Sequence, residues 1–232
     1  MSVRSRGLAV AILLTVPLCY SSCVAQGRNS PGTASQKINY TLQGTIAVTP
    51  FKKTITTVFW VGEAATAENG YIDNYGSYWD SNWMKHFGGV DSPTHRDGFL
   101  PAAFTPKQNP FYVALPFAEV DQDGNLKDAA KRIPGFAEGN EPLTRNRWVE
   151  IRYKGKSCFA QWQDVGPNEE NDFDWVFGTA KKPKNQFGLK AGLDISPAAA
   201  RFLGVEDSAR TEWRFVDAAD VPDGPWKAIV TR

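Results

Sequence analysis

Residues 157–204 restrict the fold of this chain more than any other stretch. Residues 157–164 alternate with a period of two and are rich in aromatic and small apolar side chains, a pattern typical of a β-strand. The strand must end at Asp164-Val165-Gly166-Pro167, because glycine followed by proline interrupts a regular ladder of hydrogen bonds. The sequence therefore predicts a buried strand that ends in a turn carrying a carboxylate.

A second ordered segment begins at residue 192 and ends in a short helix over residues 198–204. Ser196 stands at the N-cap position of that helix, Pro197 at its first turn and Gly204 at its end. Asp194 precedes the cap, so Asp164 and Asp194 each stand at the end of a buried element. Side chains at such ends are held firmly and still meet solvent, which makes both aspartates candidate site residues.

The rest of the chain is also typical of β-structure. Residues 148–153 and 157–164 flank the turn Lys154-Gly155-Lys156 and predict a hairpin. Further strands are predicted from alternation and β-branched content over residues 38–48, 54–61, 111–120 and 211–216, with a fifth, edge strand at 227–231. Residues 168–191 are acidic in their first half and basic in their second, which predicts a solvated loop.

The order of these motifs resembles a known group of folds. A strand, Asp-x-Gly-Pro, a gap and then Leu-Asp-Ile-Ser-Pro-Ala-Ala-Ala resemble the core signature of double-psi β-barrels, which include expansins, barwin-like domains and bacterial rare-lipoprotein-A-like wall proteins. Residues 100–106, 111–116 and 212–216 resemble further strands of that barrel, so the resemblance spans residues 57–218. It implies a mainly β fold, a six-stranded double-psi β-barrel with one or two short helices and long aromatic and polar loops.

The N-terminus predicts export. Arg4 and Arg6 precede an apolar run at residues 8–18, and small residues follow it. We therefore expect a signal peptide at residues 1–25, a flexible tether at 26–37 and one barrel domain at 38–232. Cleavage after residue 25 would give a secreted or periplasmic protein. Lipidation of Cys23 is the alternative and would anchor the protein to a membrane.

Charge and cysteine content exclude several classes. The net charge of +1 argues against a nucleic-acid binder, which usually has a basic face. Cys158 is the one cysteine outside the leader, so no internal disulfide is expected. The two histidines, His86 and His95, have no ligand-like spacing and no cysteine near them. We expect no metal and no cofactor, and a monomer.

Residues 66–99 are unusually aromatic and also contain many Gly, Asn and Asp residues. This mixture suits carbohydrate, because sugar rings stack on aromatic faces while amides and carboxylates bind hydroxyls. The predicted substrate-binding residues are Tyr75, Trp79, Trp83, Tyr112 and Trp175. The alternative is that the aromatic side chains of this segment form a local core at one end of the barrel.

The resemblance also implies a site. In expansins the residue that matches Asp194 is essential to wall loosening, and the one that matches Asp164 lies beside it in the same groove. Lytic transglycosylases of this fold use such an aspartate as a general acid, which requires a raised pKa. Each aspartate also has a structural interpretation: Asp164 could cap a turn, and Asp194 could accept N–H groups at the helix start.

The sequence departs from the lytic enzymes of the group. Tyr112 stands where they carry a histidine, and Val165 replaces the arginine of their Asp-Arg-Gly-Pro turn. Their third acidic residue has no clear match, with Glu63 and Asp80 as loose candidates. The sequence therefore favours an exported, expansin-like protein that binds or remodels cell-wall polysaccharide. The alternatives are lytic cleavage of peptidoglycan and a non-catalytic envelope module.

Overall fold

The computed structural model describes residues 49–136 and 144–232. Its strands are β1 (Lys52–Val58), β2 (Arg96–Asp97), β3 (Leu100–Pro101), β4 (Tyr112–Leu115), β5 (Trp148–Tyr153), β6 (Lys156–Val165), β7 (Leu193–Ile195) and β8 (Ser208–Val216). Its helices are α1 (Trp83–Phe87), α2 (Phe173–Val176) and α3 (Pro197–Leu203). Six strands close into a barrel in the order β1-β7-β4-β6-β5-β8, and β2 pairs with β3 outside it. The predicted mainly β fold, a closed six-stranded barrel with short helices, is confirmed.

Several predictions fall outside the described residues. The signal peptide, the tether and the strand predicted at residues 38–48 belong to this group. Within the described ranges, no helix is both long enough and apolar enough to cross a bilayer.

The β5–β6 hairpin forms as its sequence predicts. Tyr153 pairs with Lys156, so the connecting loop is Lys154-Gly155. Both loop residues have positive φ, 45° and 78°. Two successive positive φ angles give a turn whose twist matches that of the two strands.

Closure of the barrel depends on β4. This strand runs antiparallel to β7 on one side and parallel to β6 on the other. Its side chains alternate between two core clusters: Val113 and Leu115 belong to the larger cluster, while Tyr112 and Ala114 belong to a smaller one. Since successive side chains of a strand point to opposite faces, the two clusters lie on opposite faces of β4. The smaller cluster includes Trp83 and Phe87 of α1.

Two predictions, one of a loop and one of a strand, were wrong. Residues 168–191 are not simply a solvated loop, because they contain α2, whose Phe173 and Trp175 are buried in the larger cluster. Residues 227–231 form no strand: Lys227 ends a 3₁₀ turn that begins at Pro225, and residues 228–231 pair with no strand. Thr231 instead donates its backbone N–H to Gln161 Oε1 at 2.9 Å.

Candidate active site

Asp194 is fixed by the connection between β7 and α3. Ser196 caps α3 as predicted, and its Oγ accepts from Ala199 N at 3.2 Å. The same oxygen accepts from Tyr112 N, also at 3.2 Å, and Ser196 N donates to Tyr112 O at 2.9 Å. The start of the helix is thereby tied to β4, and Asp194, two residues earlier, lies at the centre of β7.

Asp164 lies on the same face of the barrel as Asp194 because the pairing of β6 is irregular. Val113 pairs with Trp162, but the next residue of β4, Ala114, pairs with Asp164. Gln163 is thus an extra residue, a β-bulge. In a regular strand Asp164 would share the face of the buried Trp162, whereas the bulge turns Asp164 to the face of Ala114.

The two aspartates flank one strand. Ala114 pairs with Asp194 of β7 on one side and with Asp164 of β6 on the other. Thr57 of β1 pairs with Asp194, so four side chains form a row across four neighbouring strands. With strands about 4.8 Å apart, the Cα atoms of the two aspartates are about 10 Å apart. Gly166 adjoins Asp194 and Ala114: a Cβ atom there would be 3.8 Å from Asp194 Oδ2 and 3.8 Å from Ala114 Cβ.

Asp164 is the more enclosed of the two acids, with 7% of its surface exposed. Its Oδ1 accepts two backbone N–H groups, from Tyr78 and Val165, each at 2.8 Å. Burial raises the pKa of Asp164 to about 7, although the two N–H groups oppose the rise. Asp164 therefore holds the loop at Tyr78 in place, and its carboxyl group is partly neutral near pH 7.

Asp194 is only partly buried. Its Oδ1 accepts a short hydrogen bond from Thr57 Oγ1. Burial raises the pKa of Asp194 to about 7; the Thr57 hydroxyl lowers it, and the charges of Glu63 and Asp164 raise it further. A carboxyl group with this pKa that also meets solvent can hold or release a proton near neutral pH.

Glu63 is a third acid of the site. Its Oε2 accepts from Asn74 Nδ2 at 2.9 Å, and burial raises its pKa while hydrogen bonds from Asn69 and Asn74 oppose the rise. Backbone hydrogen bonds connect Gly62 N to Asn74 O and Asn74 N to Glu63 O. The sequence offered only a loose alignment for Glu63, and it gave no signal for Thr57, whose role depends on the pairing of β1 with β7.

The predicted aromatic residues occupy different places. Trp83, Tyr112 and Trp175 are each at most 1% exposed, so none of them has a ring face free for a sugar. Trp79 is half-buried and packs edge-on against Trp162, with ring centroids 5.9 Å apart. Tyr75, at 47% exposure, is the one member of the predicted set with an open ring. Cys23, the predicted lipidation site, lies outside the described residues.

Tyr112 has a structural role. Its hydroxyl donates to Asp91 Oδ2 at 2.9 Å and accepts from Val61 N at 3.0 Å. Asp91 is also paired with Arg96, and both side chains are buried. Burial raises the pKa of Tyr112 well above its usual value, with the Asp91 charge acting in the same direction. Tyr112 thus helps to fix the smaller core cluster.

Asp80 pairs with a histidine outside this row. His86 Nδ1 lies 2.8 Å from Asp80 Oδ2, and Arg145 Nη2 lies 3.9 Å from the same oxygen. Over residues 49–136 and 144–232, no group of three or more His, Cys, Asp or Glu side chains could hold a metal ion. Cys158 is buried, which raises the pKa of its thiol and makes it a poor nucleophile.

Comparison with known proteins adds little to this geometry. No family model matches the sequence. No curated protein matches it either. Among solved structures, the chain is similar to the Streptomyces papain inhibitor, with a TM-score of 0.31 and 16% identity over 74% of this chain and 99% of that chain. A likeness this weak identifies neither a family nor a function.

Proposed function

We propose that this chain is an exported cell-envelope protein that binds or remodels cell-wall polysaccharide in the manner of expansins, with Asp194 as its key carboxyl group. The barrel would then be of the double-psi type. In support, the motifs that carry that resemblance fall on β6, β7 and α3, and the barrel combines two parallel strand pairs, β1–β7 and β4–β6, with antiparallel ones. One observation carries the proposal: Asp194 is partly exposed among Thr57, Glu63 and Asp164 and has a pKa near neutrality.

The roles within the site follow from burial. Asp194 meets solvent and bears the proton that a sugar hydroxyl or glycosidic oxygen would contact. Asp164 is nearly enclosed and orients the loop at Tyr78, so it acts as a positioning residue. Thr57 donates to Asp194 and selects which carboxyl oxygen stays free. Burial is the main cause of the raised pKa of Asp194, and the charge of Glu63 adds to it.

The decisive variant is Asp194→Asn, which keeps the shape and removes the titratable group. We expect it to abolish loosening of purified wall material, measured as loss of mechanical strength, while the protein remains folded by circular dichroism. Asp223→Asn is the matched control, because Asp223 is fully exposed and pairs with Lys227 on the surface. Unchanged loosening by Asp194→Asn would contradict the role given to this residue.

A lytic transglycosylase is the second candidate, favoured by the raised pKa values of both Asp194 and Glu63. Such an enzyme needs a protonated acid, so its rate should fall as the pH rises through about 7. Release of anhydro-sugars from purified peptidoglycan distinguishes the two candidates. If the protein binds wall without releasing sugar and without loosening it, the barrel is a non-catalytic binding module.

The proposal also places the protein outside the cytoplasm. Mass spectrometry of the mature protein tests this: cleavage after Ala25 gives a chain that begins at Gln26, whereas lipidation gives a modified Cys23 at the N-terminus. An intact N-terminus at Met1 would contradict export.

A further inference from the structure

Seven large apolar side chains of the described residues are exposed, and several of them lie close to Glu63 or Gly70 along the chain or in space. They are Tyr71, Ile72, Tyr75, Val90, Phe187, Leu189 and Val230. Three of them lie on the loop between Glu63 and Tyr75, two lie in the turn at residues 187–189, and Val90 adjoins Gly62. Large exposed apolar side chains gathered in one region mark a binding surface more often than single scattered ones do.

Two series of contacts connect the surroundings of Gly70 and Phe187 to the acidic side chains of the site. Gly166 abuts Asp194 Oδ2, and two residues later Asn168 Nδ2 would lie 3.2 Å from a Cβ atom at Gly70. That same Cβ position is 3.3 Å from Phe187 Cζ, so the backbone at Gly70 lies directly against the phenyl ring. On the other side, the carboxylate of Glu63 is bonded to Asn69 and Asn74, which bracket Gly70 and Tyr71.

Two exposed aromatic rings, those of Tyr71 and Phe187, form what we call the rim, and hydrogen bonds fix the backbone of both residues. Asn185, buried at 2% exposure, donates to Ala191 O at 2.9 Å and accepts from Phe187 N at 2.8 Å. Tyr71 is 75% exposed, and its N–H donates to Thr66 O at 2.7 Å. Its φ of 61° is unfavourable for a bulky residue. The fold thus keeps a large ring in solvent in a strained conformation, an arrangement typical of ligand sites.

We infer that Tyr71 and Phe187 form a sugar-stacking subsite that extends the proposed site at Asp194 along a glycan chain. This rests on the proposed function and involves residues outside both the five predicted substrate-binding residues and the row formed by Thr57, Asp194, Ala114 and Asp164. A glycan is the occupant that fits, because flat aromatic faces next to carboxylates and amides match the apolar faces and the hydroxyls of a sugar. Tyr71 and Phe187 would then supply the sugar contacts that the sequence predicted for Trp83, Tyr112 and Trp175, which are buried.

The test measures adsorption of the full mature protein to purified peptidoglycan sacculi and to microcrystalline cellulose. With a gain of about fivefold in affinity for each stacked ring, the double variant Tyr71→Ala/Phe187→Ala should bind the preferred material about 10- to 30-fold more weakly. Val230→Ala, an exposed apolar residue on the C-terminal segment, is the matched control and should bind as the wild type does.

Further variants separate stacking from other causes. Tyr71→Phe and Phe187→Tyr keep the rings and should keep the affinity, whereas Phe187→Leu keeps only apolar surface and should lose it. Tyr71→Gly relieves the positive φ, so weaker binding by this variant cannot come from backbone strain.

Two outcomes would overturn the subsite. If the wild type binds and loosens wall, Asp194→Asn abolishes the loosening and the double variant adsorbs like the wild type, the subsite fails while the proposed function stands. If the double variant instead turns a wild-type dimer into a monomer in sedimentation velocity with glycan binding unchanged, the rim is a contact between copies. Failure of the wild type to adsorb to either material would reject the proposed function itself.

Discussion

At the scale of single residues, Asp164 combines two properties that normally oppose each other. It accepts two backbone N–H groups, which favour the charged form, yet burial dominates and raises its pKa from 3.8 to about 7. The unfolded chain therefore loses this proton at a lower pH than the folded chain. Stability is unaffected below about pH 4, falls as the pH rises towards 7 and stays reduced above it.

Asp164→Asn should remove this penalty, because a neutral amide oxygen can accept the same two N–H groups. We expect the variant to gain about 2–4 kcal/mol in free energy of unfolding at pH 8 and almost nothing at pH 4. Urea denaturation at the two pH values measures the difference. Asp121→Asn is the control, since backbone N–H groups lower the pKa of Asp121 and this substitution should bring no gain at pH 8. An equal effect of Asp164→Asn at both pH values would show that the carboxyl group is already charged in the fold.

At the scale of elements, the junction of β7 and α3 depends on one hydroxyl. Ser196 is fully buried, and its Oγ accepts from Ala199 N and from Tyr112 N. Ser196→Ala should lower the free energy of unfolding by about 2–3 kcal/mol, more than loss of a helix cap alone, because two buried N–H groups lose their acceptor. Ser208→Ala, at an exposed position of β8, should change it by less than about 0.5 kcal/mol. Similar unfolding midpoints for both variants would contradict this account.

Local signals explain which elements could be predicted from the sequence. Ser196, Pro197 and Gly204 define α3, and Lys154-Gly155 defines the hairpin, because caps and tight turns depend on neighbouring residues. The position of Asp164 depends instead on the bulge at Gln163, which follows from how β4 and β6 pair. Alternation in β6 alone would have placed the carboxylate on the face of Trp162. A register between distant strands has no local sequence signal, so the sequence alone does not predict this part of the site.

Residues 168–191 show that a pattern of charges is also a poor guide to which residues of a segment are buried. The lysine residues of this segment and Asp174 are exposed, but Asp172 is buried, and Phe173 and Trp175 of the acidic half belong to the barrel core. Predicting this segment as a solvated loop gave too little weight to three aromatic residues within five positions, Phe173, Trp175 and Phe177.

At the scale of the whole molecule, aromatic side chains connect the loops to the barrel interior. Trp175 packs edge-on against Trp213 at 6.1 Å, and Trp213 contacts Phe215, which in turn contacts Trp162. Trp175 also donates from Nε1 to Gly192 O at 2.9 Å, just before β7. The segment that carries Trp175 should therefore unfold together with the barrel as one cooperative unit.

Trp175→Ala tests that cooperativity. Truncating a buried tryptophan leaves a cavity, so we expect a loss of about 3–5 kcal/mol from the global free energy of unfolding, with far-ultraviolet and near-ultraviolet circular dichroism reporting one coincident transition. Trp175→Phe should lose less, since the ring is largely retained. Phe187→Ala lies in the same segment but on the surface, and it should cost less than about 0.5 kcal/mol. If Trp175→Ala leaves the barrel transition in place and adds an earlier, separate one, residues 168–191 unfold independently of the barrel. Phe187 could then move relative to Asp194, and the proposed subsite would not be held in a fixed position beside that carboxyl group.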